Sequence, residues 1–167
     1  DPMFKRAVDS AELTLPYMIT EDSHNETDVL DTPFQAIGSR VVNSLASKLM
    51  LSLFPPNLSF FRLVPSSAVK EAIKVSETPD VLDEIEKQYM LIEQEMLRSV
   101  ERQALRVPIF DCLKSLIVTG NSCLYKTEMG LKNYRLQNYV ITRDFYGTPT
   151  QIIVKEGLNK ATLSEEL

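Results

Sequence analysis

Glycine is scarce, and its scarcity is the first thing this sequence says. Gly38, Gly120, Gly130, Gly147 and Gly157 are the only five in 167 residues. No two stand close enough to build a phosphate-cradling loop or a dinucleotide fingerprint. Histidine is scarcer still: His24 is the only one, in the polar stretch TEDSHNETDVLD at 20–31. With no Cys or second His beside it, no ligand set at zinc spacing exists, and His24 reads as a solvated loop residue. The acids around it, Asp22, Glu26 and Asp28 with Asn25, lack the spacing and the turn glycine of an EF-hand loop. Cysteine is limited to Cys112 and Cys123. Both lie in apolar surroundings and read as buried free thiols, not as a disulfide framework or as nucleophiles paired with His24. There is no signal-peptide pattern. Basic charge is in deficit, with 18 Lys and Arg against 23 Asp and Glu, for a net charge of -5. That argues against a protein living by phosphate neutralisation, though not against one forming a channel through which DNA passes. Aromatic residues do not interleave with bases in the manner of a single-strand platform. These absences leave no catalytic, cofactor-binding or metal-binding residue to name.

What the chain does have is long amphipathic helices. TPFQAIGSRVVNSLASKLMLSLFPP, residues 32–56, is the most tightly specified stretch. Thr32 offers an N-cap hydroxyl, Pro33 suits the first helical position, and Gln35 completes a capping-box spacing. Pro55 and Pro56 stop the helix. Phe34, Ile37, Val41, Leu45, Leu49 and Leu53 recur nearly one turn apart and predict the core-facing stripe. Ser39, Arg40, Asn43, Ser47 and Lys48 occupy the other face and are the candidate packing or interface residues. The small residues Gly38, Ser39, Ser44, Ala46 and Ser47 invite close approach by another backbone, from this chain or another. Gln35, Arg40, Asn43 and Lys48 interrupt the apolar run, so it is no membrane span.

Charge is distributed in blocks. Residues 1–31 carry a net -6, residues 32–76 a net +4 from five bases and one acid, residues 77–105 a net -5 from eight acids and three bases, and residues 106–167 a net +2. Such blocks can complement one another inside the fold or between copies; otherwise they are solvated helix faces.

The rest reads as a mixed chain. MFKRAVDSAEL at 3–13 predicts a short helix ended by Pro16, and LTLPYMI an extended connector packed on the body. NLSFFRLVP at 57–65 alternates like a strand, and SSAVKEAIKV at 66–75 predicts a short helix. Thr78-Pro79 repeats the cap-plus-proline start and opens a long helix to about Leu105, with Ile85, Tyr89, Ile92, Met96 and Val100 inward. At roughly 1.5 Å per residue it would be about 40 Å long and would lean on a neighbour. Pro108 is expected to break it and restart a largely buried helix over 109–118, closed by Gly120 as a left-handed cap. SCLYKTE, LKNYRL, NYVITRD and TPTQIIVKE predict strands, the last two joined by a turn at Phe145-Tyr146-Gly147. ATLSEEL begins a helix that Leu167 leaves unfinished, which predicts a piece of a longer chain. Asp1-Pro2 ahead of Met3 is compatible with an added leader.

The wording of several blocks goes beyond pattern. TPFQAIGSRVVNSLASKLMLSLFPP closely resembles the N-terminal part of the head-to-tail connector, or portal, proteins of short-tailed phages of the autographivirus type. LTLPYM at Leu13–Met18, RVPIFDCLKSLIVTGNSCLY at Arg106–Tyr125 and YVITRDFYGTPTQII at Tyr139–Ile153 agree in the same order. The resemblance runs over nearly the whole chain and implies an α+β fold, with long helices packed on a small mostly antiparallel sheet. Residues 1–167 would be the N-terminal part of a portal wing, with stem and clip absent. It implies a non-enzymatic subunit of a ring, usually about twelve copies, at the capsid vertex. DNA is packaged and ejected through such a ring without sequence-specific binding. The implied partners are other portal subunits and capsid protein. Terminase, tail adaptor and internal core proteins would be reached through the missing regions. The implied location is the virion, and the host cytoplasm during assembly, with no membrane involved. The chain on its own would be monomeric, because ring contacts need the missing portion. The competing reading is a helical adaptor or scaffolding module without a channel role, in which the helix at 79–105 would pair alone as a coiled coil.

Overall fold

Small side chains decide where the helices meet. A computed structural model describes residues 2–20, 27, 29–30, 32–56, 58–75, 79–128 and 130–157. Among the described residues five helices come first: α1 (Pro2–Thr14), α2 (Ile37–Leu53), α3 (Ser67–Val75), α4 (Pro79–Arg102) and α5 (Arg106–Thr119). Four strands follow: β1 (Cys123–Thr127), β2 (Gly130–Tyr134), β3 (Tyr139–Arg143) and β4 (Pro149–Val154). The fold is α+β, as the sequence predicts.

The core sits where α1, α2 and α5 cross. Ala11, Leu15, Val42 and Val118 form its centre, with Met18, Ile19 and Ile117 packed against it. Ala7 and Ala46 are buried beside them. The α1–α2 crossing is close enough that a Cβ on Gly38 would stand 2.5 Å from the Leu13 carbonyl oxygen. Small residues let helices approach at the short end of the usual 8–10 Å axial separation. The connector after α1 contributes Leu15 to this core and then turns through a 3-10 segment, Pro16–Met18, instead of staying extended.

Here the structure corrects the expected face of α2. The helix begins at Ile37, five residues after Thr32, and Ala36 caps it without a side-chain bond. The predicted stripe is not the buried one: Phe34, Ile37, Val41, Leu45 and Leu53 are all exposed, Phe34 completely. Val42 and Ala46, a third of a turn away, face α1 and α5 instead. The narrow face wins because it permits the close crossing that the bulky stripe would hold apart.

Arg106 ties α2 to α5. Its guanidinium donates to the Phe54 and Pro55 carbonyl oxygens at the end of α2, the second at 3.0 Å. Those carbonyls lack helical partners and carry the negative end of the helix dipole, so a cation suits them.

Of the stretch predicted as a strand, Asn57 lies outside the described residues, and residues 58–65 are not a strand. They pair with no other strand among the described residues; instead the Leu63 amide donates to the Glu93 side chain of α4. Phe60 stacks edge-on between Phe54 and Phe61, with centroids 5.0 and 5.2 Å away. Alternation alone is not a strand when no neighbour offers a ladder. Ser66 starts α3, its carbonyl accepting from Lys70 N at 3.0 Å. The long helix ends at Arg102, and the break before α5 falls at Ala104, φ 49°, not at Pro108. Pro108 lies in the first turn of α5, where its missing amide costs nothing.

The strands form two separate antiparallel hairpins, β1–β2 and β3–β4, where one small sheet was expected. In β3–β4, Val140 pairs with Ile153 and Ile141 with Ile152. Gly120 closes α5 in the left-handed conformation, φ 73°, as predicted. His24, the acids Asp22, Glu26 and Asp28, Thr78 and ATLSEEL lie outside the described residues.

Candidate functional site

The five candidate residues lie along α2. Ser39 is half-buried; Arg40, Asn43, Ser47 and Lys48 are exposed. Each polar group without charge is engaged by its own helix. Ser39 Oγ donates to the Ala36 carbonyl at 3.0 Å, Asn43 Nδ2 to that of Ser39 at 2.9 Å and Ser47 Oγ to that of Asn43 at 2.8 Å. Such back-bonding leaves no unsatisfied donor that demands a partner. Of the small residues expected to invite a backbone, Gly38 meets α1 and Ala46 is fully buried in this chain, whereas Ser44 and Ser47 face outward. Beside them, Arg40, Val41, Ser44, Leu45 and Lys48 line a shallow hollow of about 440 Å³.

The second polar constellation joins α5 to the hairpins. Buried Ser115 donates to the Asp111 carbonyl at 3.0 Å and accepts from Asn133 Nδ2 at 3.3 Å. Asn133 Oδ1 in turn accepts from Ser122 Oγ at 2.9 Å, and Ser122 lies 3.1 Å from Cys112 Sγ. Cys112 and Cys123 are free, half-buried thiols. Burial pushes the Tyr139 phenol above its ordinary pKa, and the two cysteines add to the shift. These bonds join α5 to the β1–β2 hairpin.

The third is a staple at the end of β4. Glu156 accepts from Lys132 Nζ at 2.8 Å and from the Tyr134 hydroxyl. Those bonds hold the Glu156 carboxyl below its usual pKa and raise Lys132 and Tyr134. The staple links the two hairpins, since Lys132 and Tyr134 belong to β2.

A cavity of about 890 Å³ opens between α1 and β3 and is lined by Phe4, Val8, Ile19, Tyr139 and Val140 among others. Its charged rim is Glu12 and Arg143. The apolar lining offers packing surface, not a reacting group. Among the described residues there is no cluster of His, Cys, Asp and Glu able to hold a metal, and no helix long and apolar enough to cross a membrane.

Sequence reasoning missed Arg106, Asn133 and Glu156 as organising groups. Arg106 had one available signal, an arginine just ahead of a helix whose core partner ends in Pro-Pro; the other two depend on hairpin placement and had none.

A family model described as "Bacteriophage head to tail connecting protein" matches residues 1–166. The portal protein of Enterobacteria phage T3 is 38% identical over 167 residues, covering 97% of this chain and 31% of that protein. That of Escherichia phage T7 is 35% identical over 172 residues, covering 99% and 32%. That of Pseudomonas phage phiKMV is 29% identical over 164 residues, covering 97% and 32%. The chain therefore spans about a third of the length of the curated relatives it matches. It belongs to the bacteriophage head-to-tail connecting protein family.

Proposed function

We propose that this chain is part of a structural portal subunit, one of the copies that form a ring at the capsid vertex through which phage DNA is packaged and ejected. The observation that carries the reading is the family match across residues 1–166. The site supports it in kind: its polar groups brace helices and hairpins, and none is arranged to bind or transform a small molecule. The net charge of -5 suits a body that surrounds DNA without gripping it. Residues 1–167 form wing, and stem and clip belong to the remaining two-thirds of the length seen in relatives. The partners are other copies of the subunit, about twelve in a closed ring, and capsid protein. Terminase, tail adaptor and internal core proteins bind through the remainder. The protein resides in the virion, after assembly in the host cytoplasm.

The surface of the chain favours this over a free-standing adaptor. Its exposed apolar side chains, among them Ile37, Val41, Leu51 and Leu53 on α2 and Met90 and Leu91 on α4, call for cover by further chain or by neighbours. The helix α4 does not stand alone as a coiled coil, because it packs on α3 and is bonded to Leu63.

The test is genetic. Silencing this gene in the phage that carries it should leave heads without DNA, and supplying the full-length protein from a plasmid should restore filled heads. Filled, infectious particles made in its absence would overturn the proposal.

A further inference from the structure

The β3–β4 hairpin leaves one edge of β3 open, and that edge faces a cavity. Lys155 N donates to the Asn138 carbonyl at 2.7 Å, and the two residues stand directly opposite in the register that pairs Tyr139 with Val154. An antiparallel ladder turns successive residues alternately toward and away from the partner strand. Val140 and Thr142 therefore bond to β4, while Ile141 turns its amide and carbonyl the other way, as does the carbonyl of Tyr139. Arg143, past the irregularity after Thr142, stands opposite Pro149, which has no amide to offer. No further strand pairs with this edge among the described residues. Tyr139, Ile141 and Arg143 all line the cavity of about 890 Å³, across which stand Phe4 and Val8 of α1. The hairpin also keeps apolar side chains uncovered. Val140 and Ile153, a directly opposed pair, are 64% and 56% exposed. Two strands alone are marginal in water, and a third with an apolar face makes such a sheet stable.

We propose that the cavity between α1 and β3 receives a third strand, paired antiparallel with the open edge of β3 and supplied by this protein's own polypeptide beyond Leu167. An edge strand offers a row of unpaired amides and carbonyls, which an extended segment satisfies. The polypeptide to supply it exists in the relatives: the chain covers 31% and 32% of the phage T3 and T7 portal proteins and resembles their N-terminal part. The point of departure fits. β4 ends at Val154, opposite Tyr139, so the chain leaves the hairpin at the end of the cavity that Tyr139 lines. A strand antiparallel to β3 runs in the direction of β4, and two strands of the same direction need a crossover of a dozen or more residues between them. Thirteen residues, 155–167, follow β4 in this sequence, which puts the strand beyond Leu167. Tethering favours this source over a second copy, because a linked segment is present at a high effective concentration. Its side chains should be apolar at every second position, on the face that continues Val140 and Ile153. The third strand follows from the length of the chain and does not depend on ring formation.

The experiment takes the unaltered full-length protein and reads amide hydrogen exchange residue by residue, by mass spectrometry with electron-transfer fragmentation. In an open-edged hairpin the Val140 and Thr142 amides are protected by β4 and the Ile141 amide is not. With the third strand in place, Ile141 should exchange within about tenfold of Val140 and Thr142. An Ile141 amide more than about tenfold faster than both would overturn the proposal. A photo-crosslinking p-benzoylphenylalanine at the exposed position of Val140, again in the full-length protein, identifies the source of the strand. Irradiation should join it to a peptide beyond Leu167 of the same chain, running as a single chain on a denaturing gel. A two-chain adduct would overturn the proposal, since a second copy would then cover the edge. So would adducts confined to residues 1–167. These outcomes leave the connector reading standing, and a full-length protein that forms no ring would sink that reading without touching the third strand.

Discussion

Gly38→Ala sets two effects against each other, and the structure decides the sign. Alanine is the better helix former by up to about 1 kcal/mol in a helix interior. Gly38 is the second residue of α2, so the gain there is smaller. Against it stands the crossing with α1. The new methyl carbon would lie 2.5 Å from the Leu13 carbonyl oxygen, 3.1 Å from Thr14 Cγ2 and 3.3 Å from Thr14 Cα. Two of these three are backbone atoms, so no side-chain rotation relieves the clash. The end of α1 must retreat by at least about half an ångström in a close-packed region. Ala11 and Leu15, two of the four central core residues, move with it. Overpacking of this kind costs about 1–3 kcal/mol. The net expectation is a loss of about 1–2 kcal/mol, or roughly 2–8 °C in melting temperature for a chain of this size. Thermal unfolding followed by circular dichroism measures it. Gly157→Ala, where no atom lies within 4 Å of the added methyl, is the control and should leave the transition in place. A Gly38→Ala protein that melts at or above the parent temperature would refute the close crossing and the α1–α2–α5 core built on it.

Other consequences follow from named contacts. Arg106→Gln removes a charged clamp on two part-buried carbonyls, and should lower stability in urea by about 1–3 kcal/mol, whereas a loss below about 0.5 kcal/mol would show that the clamp is idle. Gly120→Ala forces a Cβ into φ 73° and should cost about 1–2 kcal/mol, read from the same urea midpoint. The Glu156 staple gives a pH signature. Its carboxyl is held below the usual value by the bonds from Lys132 and Tyr134, so its contribution is complete above the unfolded pKa and disappears as pH falls through the lower folded one. Tyr139 is raised by burial, so its contribution is complete below the ordinary tyrosine range and is lost as pH rises through the higher folded value. Melting temperature should therefore fall at both extremes. Glu156→Gln should flatten the acid limb and Tyr139→Phe the alkaline limb; unchanged limbs would contradict these assignments.

The C-terminal hairpins and the cap of α5 were legible because each is fixed by local chemistry. Gly120 marks a left-handed cap, Pro149 opens a strand, and alternation with a turn at Gly147 makes β3–β4 a hairpin. The helices were legible as helices but not by face. The stripe Ile37, Val41 and Leu45 has the right period, yet period does not say which of two apolar faces a neighbour takes. The crossing went to Gly38, Val42 and Ala46, since small residues allow the shorter approach. The stretch 57–65 misled for a related reason: it alternates, but a strand requires a partner that sequence cannot supply. The start of α2 at Ile37, not Thr32, shows that a capping pattern offers a bond without compelling it. Arg40 and Lys48 were visible as a polar face. What covers that face depends on surfaces of other elements or other copies, which no local pattern encodes.

The central claim is that this chain is cut from a ring-forming subunit. The most direct test is the mass in solution of the 167-residue chain and of the full-length protein, measured side by side by light scattering. The account predicts a monomer of 19.0 kDa for the chain, beside a full-length assembly of about twelve copies. A full-length protein that stays monomeric or dimeric under every assembly condition would contradict it.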